Sequence, residues 1–520
     1  MRSLTGSKLL KTLPVATSVS TSPALGWLDR LTLAYVALPL LLFLPGWFQL
    51  WLWVPLLAAL AYTLLPVITG WRELPRRALR SPQIMAITLA CVWTVLGGTA
   101  HLFYANADWH TRDAVLHDLV VAPWPVGYGP WQGTDSLLRT TLGYFLPAAL
   151  FGKLLGVGAA HYALMVWTAL GTSLFLLQVQ SLLPAKRGAS LALLVVVLFS
   201  GLDVIGWLLG YGERFIRHWT PTMHLEWWAL FYQYSSMTTQ LFWVPNHALA
   251  GWLAIGLLLR HRRDSALDAL LPLLMVAVLL WSPLTAAGLA PFVLWQAGSG
   301  ALRERSLRLL HPKVWLPALL AGVLVAAYLT LDSGGIDKGL ASNVDALRLL
   351  RLAQFFLLEA GLIGFAVLAI RPEPLCVLAL LILAGLPFVH LGPSNDLVMR
   401  ASIPALTVLA IDSCLALFEP ATGRRALVRN VLLPLLLVIG AVTPLQEIAR
   451  AVRFPRWPAN LEGTLVGASC GTYPPHYVAH ISAGPIQRMM RAPHAIGVGP
   501  VPLSACENPA EEIMNSVEQQ

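Results

Sequence analysis

The sequence predicts an all-α polytopic integral membrane protein of about thirteen transmembrane helices. Three observations carry that expectation. The 520-residue chain is 57% hydrophobic and only 12% charged, with a mean hydropathy of +0.67, whereas soluble domains carry about 25% charge. Apolar runs of membrane-crossing length recur between residues 31 and 446. Most Arg residues fall in the short loops between them, where positive-inside bias places them. Backbone groups in lipid must bond within the chain, and no period-two barrel pattern appears, so the runs are expected as helices. The net charge of +9 then follows from topology, and no nucleic-acid partner is implied.

Residues 1–30 form the expected cytoplasmic N-terminal segment. They are Ser/Thr-rich with Lys8 and Lys11, and lack the short apolar core and small-residue cleavage site of a removable signal. A hairpin of spans follows, 31–44 and 47–69, turned at Pro45-Gly46. The loop after it carries Arg72, Arg76, Arg77 and Arg80 and is assigned to the cytoplasm. Span 82–102 therefore exits to the far side, and loop 103–159 is outward. The run Leu142–Lys153 is apolar but short and broken by Pro147, which favours a helix dipping into the outer leaflet. Further spans are expected at 160–182, 189–209, 241–260, 267–281, 283–299, 314–331, 353–370, 375–390, 401–418 and 430–446. Arg260, Arg262 and Arg263, then Arg303, Arg305, Arg308 and Lys313, then Arg371, then Arg424, Arg425 and Arg429 mark the cytoplasmic loops. Residues 31–446 thus make one transmembrane domain, and 447–520 a polar tail on the periplasmic or extracellular side of a cytoplasmic (inner) membrane. Cys91, Cys376 and Cys414 read as core residues, while Cys470 and Cys506 in the tail are available for a disulfide in an oxidising compartment.

Unusual residues collect in the outward loops. The first opens on Asn106–Leu119, which holds Asp108, Arg112, Asp113, His117 and Asp118 directly after a span. Charges beside a bilayer are costly, so such a cluster is a functional-site hypothesis. Thr111, Ala114, Val115 and Leu119 recur at helical spacing and predict a helix along the membrane surface, with Asp108 as an N-cap candidate. The second loop, 210–240, carries His224, Glu226, Trp227 and Trp228; the third, 332–352, has Asp332, Asp337, Lys338 and Asp345; the fourth contains Asp396 and Arg400. Asp396 and Arg400 are four residues apart and share a helix face. Arg400 reads either as half of that intrahelical pair or as a guanidinium for phosphate, and Arg112 is a second phosphate candidate. His247, after Pro245-Asn246 at the start of a span, reads as a structural hydrogen-bond partner or an anion contact near a helix N-terminus. Glu226 and His224 are candidates for a second acid, a metal ligand or acceptor binding. Asp203 lies near the outer end of its span. Trp109, Trp124, Trp131, Trp227 and Trp228 suit an interfacial belt or stacking on sugar faces. A carboxylate here can deprotonate an acceptor hydroxyl while a cation meets a phosphate leaving group. The acids leave room for a divalent metal (Mg²⁺ or Mn²⁺), but the sequence shows no closed ligand set.

The segment Asp108–Leu119 resembles the first outward loop of GT-C-type glycosyltransferases, polytopic enzymes that use polyprenyl-phosphate sugars. Their pattern is an acid after an N-terminal span, then a surface helix with a further acid about ten residues on. Asp108 and Asp118 keep that spacing, and Leu119 keeps the apolar residue that follows. Trp109 stands where many members carry a second acid. Gly143-Tyr144-Phe145-Leu146-Pro147 through Gly156 is similar to the family's membrane-dipping helices. His224–Trp228, Phe242–His247 and Asn395–Arg400 resemble signatures of a bacterial subgroup. The resemblance covers residues 82–182 and implies a transferase moving a sugar from a polyprenyl-phosphate carrier to a glycan, lipid or protein acceptor at the outer face. Asp108 is then the base, with Asp118, Asp113, Glu226 and His224 as secondary acids or acceptor contacts. Arg400, Arg112 and His247 would face the donor phosphate. The alternatives are an envelope-polysaccharide polymerase or ligase acting through Arg and His of a late loop, and a non-catalytic lipid or glycan transporter.

Overall fold

The computed structural model describes residues 25–69, 80–131, 133–184, 192–220, 223–304, 312–334, 338–340, 345–392, 395–481, 484–498, 501 and 506–518. The protein is 71% helical. Its N-terminal third contains α1 (Trp27–Trp47), α2 (Leu50–Thr69), α3 (Ser81–Leu96), α4 (Asp108–Val121), α5 (Leu146–Leu155) and α6 (Val157–Leu182). Among the described residues, five helical stretches are long and apolar enough to cross a membrane: Trp27–Trp47, Val157–Leu182, Ala346–Ile370, Asp396–Ala416 and Gly423–Arg453. The last exposes Leu427, Val431, Leu435, Val438, Val442 and Leu445, an apolar surface too continuous for a helix bathed in water. The loop Arg72, Arg76 and Arg77, Arg305 and Arg308, and Asp337 lie outside the described residues.

Several helices differ from the lengths read from hydropathy, for local reasons. Pro45 and Gly46 lie inside α1, so the first hairpin turns at Phe48-Gln49. The run 189–209 is two short helices, Leu193–Val197 and Asp203–Tyr211. Between them the Gly201 backbone passes so close to Glu359 that a Cβ would lie 2.2 Å from its Oε2, and Leu202 N donates to Leu358 O at 3.0 Å. The run 241–260 is also split, into Met237–Trp243 and Pro245–Arg260. Pro245 has no N–H to continue the first helix and its fixed φ starts the second. α5 has ten residues, about 15 Å of helix against a hydrocarbon core of about 30 Å, so it cannot cross alone.

Not all of the protein is helical. Gly127-Tyr128-Gly129-Pro130, whose Gly and Pro residues usually mark a turn, belong to β1 (Val126–Trp131), which pairs antiparallel with β2 (Thr134–Leu138). Two tail strands complete this sheet: His494–Ile496 lies parallel to β1, and Val478–His480 antiparallel to β2. The tail is thus woven into the first loop rather than set apart from it. Lys338–Leu340 of the third loop pairs with Val389–Leu391, just before the fourth.

Candidate functional site

A cavity of about 740 Å³ is lined by Asp108 from the first loop, His224, Trp227 and Gln233 from the second, Trp243 and Val244 at the helix break, and Asp396, Met399 and Arg400 from the fourth. Residues separated by almost 300 positions meet here. His224–Trp228, Phe242–His247 and Asn395–Arg400, the three segments singled out in the sequence, each contribute to its wall. Its size falls within the few-hundred to 1,000 Å³ typical of small-molecule sites.

Asp108 is the first residue of α4, and the N-cap position falls one residue earlier, at Ala107. The Asp108 carboxylate accepts from Arg112 Nη2 at 2.8 Å, one helical turn on, and remains 46% exposed toward the cavity. The same Nη2 donates to Trp243 O. Arg112 Nη1 is buried without a hydrogen-bond partner among the described residues. Asn106 fixes this corner: its Nδ2 donates to Phe242 O at 2.7 Å, and its Oδ1 accepts from Asp108 N at 3.1 Å. The break before Pro245 therefore frees the Phe242 and Trp243 carbonyls that anchor the start of α4.

Arg400 forms the expected i,i+4 pair with Asp396, and its Nε has no hydrogen-bond partner among the described residues. Asn395, at φ +52°, sets the start of that short helix. His224 is gripped on both sides. Its Nδ1 lies 2.9 Å from Glu447 Oε1 and its Nε2 3.6 Å from Glu226 Oε2. Burial alone would lower the imidazole pKa, but the Glu447 and Glu226 carboxylates outweigh it and push it up to about 9. His224 is therefore a cation at neutral pH. Glu447 also accepts from Trp243 Nε1 at 2.9 Å and from Arg450 Nη1 at 3.0 Å.

The remaining candidates do not line this cavity. Glu226 is fully buried and accepts from Ser236 N at 2.8 Å and Gln233 Nε2 at 2.7 Å, so it holds the second loop in shape. His247 is hydrogen-bonded to Ser282 Oγ at 2.7 Å and Asn246 Nδ2 at 3.2 Å, which matches its structural reading. Asp203 accepts from Ser200 Oγ at 3.0 Å and Thr443 Oγ1 at 2.8 Å. Asp118 accepts from Tyr128 Oη at 2.9 Å and Leu465 N at 3.0 Å, with His117 Nδ1 at 3.0 Å. Asp113 sits between His101 and His161. α4 is not a helix lying with one face on a surface: Ala114, Val115 and Leu119 are buried, but so are Arg112, Asp113 and Asp118 on its other sides. The tail supplies the packing that encloses it.

Sequence reasoning missed Tyr477. This tail residue lies within electrostatic reach of Asp108, Arg112, Arg400 and Asp396; burial and then the Asp108 carboxylate raise its phenol pKa. Its neighbours Val478–His480 form the strand against β2, and that pairing brings it to the site. The only hint in the sequence is the short β-prone Tyr477-Val478. Protein-family models, curated proteins and solved structures were each compared with the chain, and none matches.

Proposed function

We propose that the protein is a polytopic membrane glycosyltransferase of GT-C-like architecture, with about thirteen membrane-spanning segments and the 740 Å³ cavity on the outer side. It would move a sugar from a polyprenyl-phosphate carrier to an acceptor hydroxyl. The observation that carries this reading is the meeting in one cavity of a half-exposed carboxylate, two cations and several aromatic rings. Asp108 takes the acceptor's proton as its oxygen attacks the anomeric carbon. The bond from that carbon to the phosphate oxygen breaks with inversion, and the carrier phosphate leaves with the electron pair. Arg400 and protonated His224 stabilise the leaving phosphate, and Arg112 holds the Asp108 carboxylate in place. Trp227 and Trp243 give flat apolar surfaces for a sugar ring.

The test is transfer from a supplied lipid-linked donor. Asp108→Asn should fold as the wild type and lose about 10²–10⁴-fold in rate, the usual contribution of a general base. Wild-type rates in that variant would overturn the assignment. The polymerase or ligase reading places the chemistry on Arg400 and His224 instead. It is favoured if Arg400→Ala and His224→Ala abolish transfer while Asp108→Asn does not.

A further inference from the structure

We propose that His101, Asp113 and His161 form a binding site for a first-row transition-metal dication, Zn²⁺ by preference, distinct from the Asp108 cavity. The three residues come from separate elements: the 3₁₀ turn Thr99–His101, α4 and α6. All are buried, at 5%, 1% and 3% exposure. One donor atom from each can be chosen so that all lie within 4.8 Å of one another.

The contacts among them are close but are not hydrogen bonds. His101 Nε2 lies 2.9 Å from Asp113 Oδ2 and His161 Nδ1 lies 3.7 Å from Asp113 Oδ1. Yet both nitrogens of each ring, and Asp113 Oδ1, have no hydrogen-bond partner among the described residues. Native interiors rarely leave five such atoms unsatisfied together. Donor atoms around a tetrahedral Zn²⁺, at about 2.0–2.1 Å from the metal, stand about 3.3 Å apart. The two separations run to different oxygens of the Asp113 carboxylate, so the three donors, now within 4.8 Å of one another, would draw together on a shared ion. Two imidazoles and a carboxylate suit Zn²⁺ and its neighbours, whereas Mg²⁺ and Ca²⁺ prefer all-oxygen shells.

The surroundings fit this use. Ala100 and His101 both take left-handed backbone angles, φ +64° and +56°, a conformation non-glycine residues avoid unless the fold imposes it. Asn460 N donates to Asp113 Oδ2 at 3.2 Å, and Trp457 packs edge-on against the His101 ring at 4.2 Å. His101 and His161 line a separate cavity of about 470 Å³ with Arg456 and Trp457. That opening gives the ion an entry path and leaves a fourth position for water. The metal would tie α4 to α6 and to the turn before α4, and so hold the helix that presents Asp108.

The test reads metal, not transfer. Detergent-purified, tag-free protein is stripped with chelator, dialysed against Zn²⁺ or Mg²⁺, and assayed by elemental analysis. Co²⁺ loading of the wild type is followed by visible absorption. About one Zn²⁺ per chain, no retained Mg²⁺, and d–d bands of a nitrogen-containing tetrahedral or five-coordinate site are expected. His101→Gln with His161→Gln should lose the Zn²⁺. Wild-type protein that retains no Zn²⁺ and gives no Co²⁺ bands overturns the proposal, as does a double variant that keeps its Zn²⁺. If that variant does not fold, the Co²⁺ spectrum of the wild type decides alone. Loss of transfer in Asp108→Asn with zinc retained would separate this site from the proposed reaction centre.

Discussion

At the scale of single residues, the candidate site works by leaving donors unspent. Asp108 shares its carboxylate with one nitrogen of Arg112 and keeps the rest of its surface toward the cavity. Arg112 and Arg400 each retain a nitrogen with no hydrogen-bond partner among the described residues. Arg400→Lys would keep the charge but lose the bidentate fork; transfer should fall at least about tenfold, measured as kcat/KM for the lipid-linked donor. His224 provides a pH test. Its folded pKa of about 9 lies above the value of about 6.5 expected in the unfolded chain. Its contribution to stability is therefore fully present below pH 6.5 and is lost as pH rises through 9, an effect of about 3 kcal/mol at most. Thermal melts in detergent should show the melting temperature falling across that window. His224→Gln should flatten the slope, and an unchanged slope would remove His224 as the titrating group.

At the scale of elements, α4 is set by its neighbours rather than by its own amphipathicity. Gly152 of α5 packs where a Cβ would lie 2.6 Å from Ala160 of α6 and 2.7 Å from Val120 of α4. Gly152→Val should overpack this junction and cost about 1–3 kcal/mol, read as a lower melting temperature. Asn106→Ala removes the brace between α4 and the helix break. It should cost about 1–3 kcal/mol by leaving Phe242 O unpaired, and slow transfer by loosening Asp108. The helical character and the Asp396–Arg400 pair were legible from apolar run length and four-residue spacing. The breaks at Gly201 and Pro245 were not, because hydropathy is blind to backbone geometry. The burial of Asp113 and Asp118 was equally hidden, since their partners His161, Asn460 and Leu465 lie far along the chain. β1 is hidden in the sequence because Gly127, Gly129 and Pro130 punctuate it, and its parallel partner lies more than 350 residues away.

At the scale of the whole molecule, the C-terminal tail closes the structure around its first loop. Its strands flank β1 and β2, Trp457 Nε1 donates to Ala105 O at 2.8 Å, and Leu465 N reaches Asp118 at 3.0 Å. Cys470 and Cys506 are neighbours in the tail, and the disulfide open to them in the sequence is not formed in this structure. A chain truncated before residue 457 should lose the packing of α4 and with it all transfer, even though no proposed spanning segment is removed. Limited proteolysis of the first loop would report the change; a truncated chain with wild-type protection would contradict it. In the proposed reaction, donor phosphate and acceptor meet in the cavity between Asp108 and Arg400. A structure of Asp108→Asn with a bound polyprenyl phosphate tests it most directly. Phosphate density is expected in the 740 Å³ cavity, against Arg400 and His224. Phosphate density elsewhere, such as in the cavity lined by His161 and Arg456, would contradict it.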